Sequence, residues 1–315
     1  MSYKDAGLAH GYWKQYLTPE ETREVVANRA TTMFVSGHYP IHVGLYLQTR
    51  PAPTVLMAHG LFVYGLTLAR LQLPFFRAGF NVVAWDLPGM GQSGGPRGGC
   101  TVLEYIRAWR DALEFAYRRF GAPLFALGVA EDAVTCYYAL ANSPKVNALS
   151  VHTLLELGDY EGMHWHGPKW WMRIVTAALP IASVVGPSIS RPSDSIVPPE
   201  WIFEGSGDQR VMDLLQHDPL GFKRVTLRLV SMLGKRLPAP VQYESCHTPV
   251  QLIASANNRI WRYRDLVKNF VRLAGPKELV TLHSAGQWEY NAAFAEAYAA
   301  HVIQWFRAHG GQRDQ

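Results

Sequence analysis

Residues 41–48, Ile-His-Val-Gly-Leu-Tyr-Leu-Gln, alternate in the period of a strand with one buried face, which predicts an antiparallel strand. Pro51-Ala52-Pro53 then breaks the chain. The apolar run Thr54–Ala58 fits a strand buried on both faces. Residues 66–78 carry apolar positions at helical spacing and stop near Gly79, a suitable C-cap. Asn81–Trp85 is a second doubly buried strand, and the chain from Asp86 to Gly99 is a long glycine-rich loop. Thr101, with Glu104 three residues on, forms the capping box of a helix over 102–119. A strand at 124–127, a helix at 132–142 and a strand at 148–153 follow. Strands alternating with helices predict a parallel sheet with right-handed crossovers.

The alternation stops near residue 156. From 156 to 245 the chain is rich in proline and tryptophan, with helical periodicity at 208–216 and 222–234, and reads as an inserted lid. The sheet pattern resumes at 250–255, followed by a helix at 262–273, a strand at 279–283 and a helix at 290–307. The expected division is therefore a core at 1–155, a lid at 156–245 and the rest of the core at 246–315. A chain of 315 residues with 48% hydrophobic content can bury such a core. The net charge of +5 comes from scattered Lys and Arg without a basic run, which speaks against nucleic-acid binding. Three cysteines without a CxxC pair, after an N-terminus lacking a signal-like apolar stretch, point to reduced thiols and a cytoplasmic setting. No apolar run reaches the roughly 20 residues needed to span a bilayer. The nearest, 174–185, is interrupted by Pro180 and suits a buried helix or contact with a membrane surface.

Three phrases carry a family likeness: His59-Gly60, Asp86-Leu87-Pro88-Gly89-Met90-Gly91-Gln92-Ser93 with Gly94-Gly95-Pro96-Arg97-Gly98, and Gln216-His217-Asp218-Pro219-Leu220. With this strand order, the chain resembles the α/β-hydrolase superfamily and, within it, the monoacylglycerol lipase and lysophospholipase-like branch. The resemblance implies the α/β-hydrolase fold and a serine in Gly-x-Ser-x-Gly. The chain has Gly128-Val129-Ala130-Glu131-Asp132 there, and losing both the serine and the second glycine argues against a strained nucleophile turn. The acid position falls on Asn258 and the histidine position on Gln287, so the resemblance implies that the triad is missing at all three places. It also implies that an oxyanion hole survives in the backbone N–H groups of Leu61 and Glu131. Such donors are worth ~3 kcal/mol each and need no particular side chain.

The side chains left near this site have two readings each. Glu131 and Asp132 suit helix capping, or Glu131 points into the pocket as an acid or base. His283, four residues before Gln287, is a strand-end histidine or a displaced general base. His152 is a hydrogen-bonded strand-end residue or part of the pocket. Trp165, Trp170, Trp171 and Trp201 pack the lid or wall a pocket for a flat or acyl ligand, with His59 and Gly60 below. His164 and His166 lack metal-ligand spacing, and neither a metal nor another cofactor is expected. The expected function is a non-hydrolytic enzyme acting on an apolar carbonyl compound through the oxyanion hole. The alternatives are a ligand-binding pseudo-hydrolase and a serine esterase or lipase of the monoacylglycerol lipase type with a displaced triad.

Overall fold

The computed structural model describes residues 11–60, 63–157, 190–192, 213–215, 217–218, 220–221, 224–226, 228–229, 237–258, 260–284 and 288–311. Helix α1 (Pro19–Asn28) leads directly into strand β1 (Arg29–Ser36), which forms a hairpin with β2 (Tyr39–Tyr46). The rest is β3 (Thr54–Ala58), α2 (Ala69–Arg77), β4 (Asn81–Trp85), α3 (Val102–Phe120), β5 (Leu124–Gly128), α4 (Asp132–Leu140) and β6 (Ala148–Val151). After the short strands β7 (Ser190–Pro192) and β8 (Arg224–Thr226) come β9 (Val250–Ser255), α5 (Tyr263–Arg272), β10 (Lys277–Leu282) and α6 (Ala292–Ala308).

Eight strands form one sheet in the order β1-β2-β4-β3-β5-β6-β9-β10. Strand β2 pairs antiparallel with β1 and β4, and β4, β3, β5, β6, β9 and β10 run parallel to one another. This is the α/β-hydrolase fold implied by the sequence. The doubly buried strands show why their runs lack polar positions. Leu56 and Ala58 face the cluster under α3 and α4, while Val55 and Met57 face the one under α2 and α6. Leu124 and Ala126 of β5 alternate with Phe125 and Leu127 in the same way.

Outside 156–245 the predicted elements sit within a few residues of those observed, while most of the helix predicted over 208–216 lies outside the described residues. The capping box of α3 is closed in both directions. The Glu104 N–H donates to the Thr101 hydroxyl at 3.3 Å, and the Thr101 N–H donates to the Glu104 carboxylate at 2.6 Å. One expectation is overturned. The helix predicted over 222–234 is broken at its start, because Arg224–Thr226 pairs antiparallel with Ser190–Pro192. The N–H and hydroxyl of Thr226 both donate to the Gly98 carbonyl at 2.9 Å, a distant partner that helical periodicity cannot anticipate. Most of the predicted lid, including His164, Trp165, His166, Trp170, Trp171 and Trp201, lies outside the described residues. Among those described, no helix is long and apolar enough to cross a membrane.

Candidate functional site at the ends of β5, β6 and β9

The loop after β4 is built around a buried carboxylate. Asp86 accepts the Gly65 N–H at 2.7 Å and the Gln92 N–H at 2.9 Å, with His42 Nδ1 at 3.2 Å. Burial pushes this carboxyl up, but His42, His59 and the Gln92 N–H outweigh it and hold the group below its ordinary range. Gly91 needs its freedom here, since its φ is +49° and a Cβ would meet Asp86 Oδ2 at 2.5 Å. The Ser93 hydroxyl donates to the Asp86 carbonyl at 2.7 Å and accepts the His42 N–H at 2.9 Å, so this serine ties β2 to the loop. His59 is also fully engaged. Its Nε2 accepts the Leu87 N–H at 3.0 Å and its Nδ1 lies 2.8 Å from the Gly60 carbonyl, which makes the ring neutral. Burial pulls its pKa down in the same direction. The imidazole braces the loop and has no nitrogen left for a ligand.

The turn after β5 corrects the expectation of a relaxed elbow. Ala130 has φ +53°, the left-handed conformation that a side chain disfavours. Gly128 lets helix and strand meet at backbone distance, because a Cβ on it would lie 2.6 Å from Ala133 Cα. The strained strand-to-helix turn is therefore present with alanine at its apex. Gly60 approaches the apex just as closely: a Cβ there would meet Ala130 Cβ at 2.7 Å and Glu131 Oε2 at 2.8 Å.

The two carboxylates beyond the apex have separated. Glu131 is the N-cap of α4 but makes no side-chain cap hydrogen bond, which sets the capping reading aside. Its half-buried carboxylate is turned back over Gly60, beside buried Tyr290. Burial, and then the charge of Glu131, raise the Tyr290 phenol well above its ordinary value. The Tyr290 carbonyl is held by Arg70 of α2 at 2.6 Å. Asp132 faces the opposite way, into the core, where the Trp109 indole N–H donates to it at 2.8 Å. Sequence reading missed Tyr290 because nothing local marks a tyrosine 159 positions from Glu131 as its neighbour.

Asn258 sits at the expected acid position, 6% exposed. Its side-chain oxygen accepts the N–H groups of Ile260 at 2.8 Å and Trp261 at 2.9 Å, while its amide nitrogen has no partner among the described residues. Gln287 and Leu61 lie outside the described residues, so the histidine position and one oxyanion donor do too. His283 is exposed just past β10, as a strand-end histidine would be. His152 is fully buried at the end of β6, and its N–H donates to the Gly128 carbonyl at 3.1 Å. Its ring lies 5.7 Å from that of Trp288 and 5.9 Å from that of Tyr298. Neither ring nitrogen has a partner among the described residues, contrary to the hydrogen-bonded reading. Burial lowers its pKa to about 4.

A profile of the serine aminopeptidase S33 family matches residues 49–286. No curated protein sequence matches significantly. Among solved structures, the monoacylglycerol lipase of Paleococcus ferrophilus is similar at a TM-score of 0.67 and 18% identity, over 85% of this chain and 99% of that one. The α/β-hydrolase GrgF from a Penicillium species gives 0.69 and 17%, over 90% and 99%. A soluble variant of the monoglyceride lipase of Saccharomyces cerevisiae gives 0.65 and 13%, over 90% and 96%.

Proposed function

This chain belongs to the serine aminopeptidase S33 family of α/β-hydrolases, and from that premise we propose that it is a member without the serine-histidine-acid triad, working on an apolar carbonyl compound without hydrolysing it. The observation that carries this reading is the elbow: alanine occupies its strained apex, and the next residue turns a carboxylate back over Gly60. Strain of this kind costs on the order of 1–3 kcal/mol and clusters at working sites. Alanine supplies no nucleophile, so the chemistry passes to Glu131. Its carboxylate removes a proton from the carbon next to the carbonyl, the C–H electron pair moves into the carbonyl, and the backbone N–H groups of Leu61 and Glu131 hold the enolate oxygen. Return of the proton from Glu131 to another atom gives an isomer, with nothing consumed. In this reading His152, Trp165, Trp170 and Trp171 are assigned to binding the apolar part of the ligand. Three buried free thiols, Cys100, Cys136 and Cys246, suit a cytoplasmic setting.

The test uses nonane-2,4-dione as a probe in deuterated buffer, with NMR reading deuterium entry at the activated carbon. The wild type is expected to exceed the buffer rate, and Glu131→Gln to lose at least about 100-fold of that excess. A fluorophosphonate probe is expected to leave every serine unlabelled, and a labelled serine would overturn the proposal. Saturable quenching of tryptophan fluorescence by the diketone, without deuterium entry above the buffer rate, would instead favour the ligand-binding pseudo-hydrolase.

A further inference from the structure

The position two residues beyond the apex holds a small residue in the motif this chain resembles; here it holds Asp132, 3% exposed. A carboxyl in the first turn of a helix would ordinarily cap it or reach solvent. Asp132 does neither. The Trp109 indole N–H donates to its Oδ2 at 2.8 Å, and its Oδ1 is hydrogen-bonded to the Thr135 hydroxyl. That hydroxyl also donates to the Asp132 backbone carbonyl at 3.0 Å. Trp109 is itself immobilised, fully buried in α3 with its ring edge-on to Trp85 of β4 at 5.1 Å. A continuous contact thus runs from β4 through α3 to the first turn of α4, directly behind Ala130.

We infer that Asp132 is a positioning residue, a hydrogen-bonded clamp through Trp109 and Thr135 that holds the elbow in its strained shape and so aims Glu131 over Gly60. That Glu131 then does chemistry rests on the reading above; the hold on the turn does not. The clamp replaces what a glycine in this place normally gives the turn. A glycine there lets helix and strand approach closely, whereas Asp132 holds the turn with two buried hydrogen bonds.

The clamp closes best around a protonated carboxyl. A proton on Oδ1 donates to the Thr135 hydroxyl, which keeps its own hydrogen for the Asp132 backbone carbonyl, while Trp109 serves Oδ2. Once the carboxyl ionises, the single hydrogen of Thr135 must serve two acceptors, and a charge without a cationic partner among the described residues is left in the core. Among the described residues, the facing groups offer no cation: Tyr105 and Trp109 on α3, Thr135 and Cys136 on α4, and Glu131 at the turn. The buried Tyr105 hydroxyl has no partner among the described residues. Burial, with the charge of Glu131 adding to it, pushes Asp132 up to about 7 against the pull of its two hydrogen bonds. The elbow is then tighter below neutral pH than above it.

Hydrogen exchange of the peptides covering residues 128–136, followed by mass spectrometry without any ligand, tests this independently of the chemistry assigned to Glu131. Asp132→Ala is expected to speed exchange there by about tenfold, and Trp109→Phe, which leaves the carboxyl in place, to do so by several-fold. Asp132→Asn imitates the protonated carboxyl, since its amide can donate to Thr135 and accept from Trp109, and is expected to restore wild-type protection. Corrected for intrinsic rates, wild-type exchange should rise up to about tenfold more than that of Asp132→Asn between about pH 6 and about pH 8. Wild-type protection in Asp132→Ala and Trp109→Phe, or an Asp132→Asn protein as open as Asp132→Ala, would overturn the clamp. Parallel pH profiles for wild type and Asp132→Asn would overturn its dependence on the proton.

Discussion

His152 is a residue of the site that is costly to keep folded in acid. Its folded-state pKa of about 4 lies below the ordinary histidine value of 6.5 because the ring is fully buried. The sign follows from linkage: the unfolded chain binds a proton below about pH 6.5 that the folded chain refuses until about pH 4. Stability from the neutral ring is therefore whole above the unfolded value and is lost as pH falls through this window, by roughly 3 kcal/mol at most. His152→Phe keeps an aromatic ring between Trp288 and Tyr298 and removes the titration. Urea unfolding between about pH 7 and about pH 4 should show the variant losing less stability than wild type by roughly that amount. Asp132 runs the other way, since its raised pKa favours the folded protein at low pH and withdraws that support as pH rises towards about 7. The two groups partly offset each other, so each is read as a difference between wild type and variant. Which of these side chains matter was visible in the sequence only as residue types at strand and helix ends. His152 reads there as either a hydrogen-bonded strand-end residue or part of the pocket, and Asp132 as suited to capping. A ring without a partner among the described residues sets the hydrogen-bonded reading of His152 aside, and burial against Trp109 sets aside the capping reading of Asp132.

Elements were the most legible level, because a two-residue or 3.6-residue period is a local property. Strands β3, β4 and β9 fall on the predicted residues, since runs buried on both faces have sharp ends at proline, glycine and polar positions. Strands β7 and β8 were not legible, being three residues each and held by partners far along the chain. The meeting of β5 and α4 is likewise a matter of distance. Gly128 reads in sequence as a remnant of a motif, yet its role is to let Ala133 Cα come within reach of where a side chain would start. Gly128→Ala is expected to drive α4 off β5 and cost about 1–3 kcal/mol, the usual penalty of overpacking a tight core. Chemical denaturation measures it, and loss of the left-handed turn at Ala130 should accompany it.

At the scale of the whole molecule, Asp218 and Leu220 are tied to the loops that follow β3 and β4. The Tyr64 hydroxyl donates to Asp218 at 2.6 Å, the Leu220 N–H donates to the same carboxylate at 2.8 Å, and Arg97 donates to the Leu220 carbonyl at 3.0 Å. Tyr64 and Asp218 are both buried and 154 residues apart. Tyr64→Phe removes the donor and leaves one carboxylate oxygen of Asp218 without it. Stability should fall by about 2 kcal/mol in urea unfolding, whereas a solvent-exposed pair would give less than 1 kcal/mol.

Local periodicity was enough to read the alternating strands and helices from β2 to β6 and from β9 to α6, the motifs carried the likeness that implied the fold, and the absence of a serine at residue 130 is a plain fact of the chain. Only the tertiary structure decided that the elbow stays strained around alanine, that Glu131 turns over Gly60 while Asp132 turns into the core, and that His59 is spent on the backbone. Each of these depends on groups brought together from separate strands and helices. Burial among such groups, and not the chain neighbours of a residue, sets the direction in which a side chain faces and the charge it carries there.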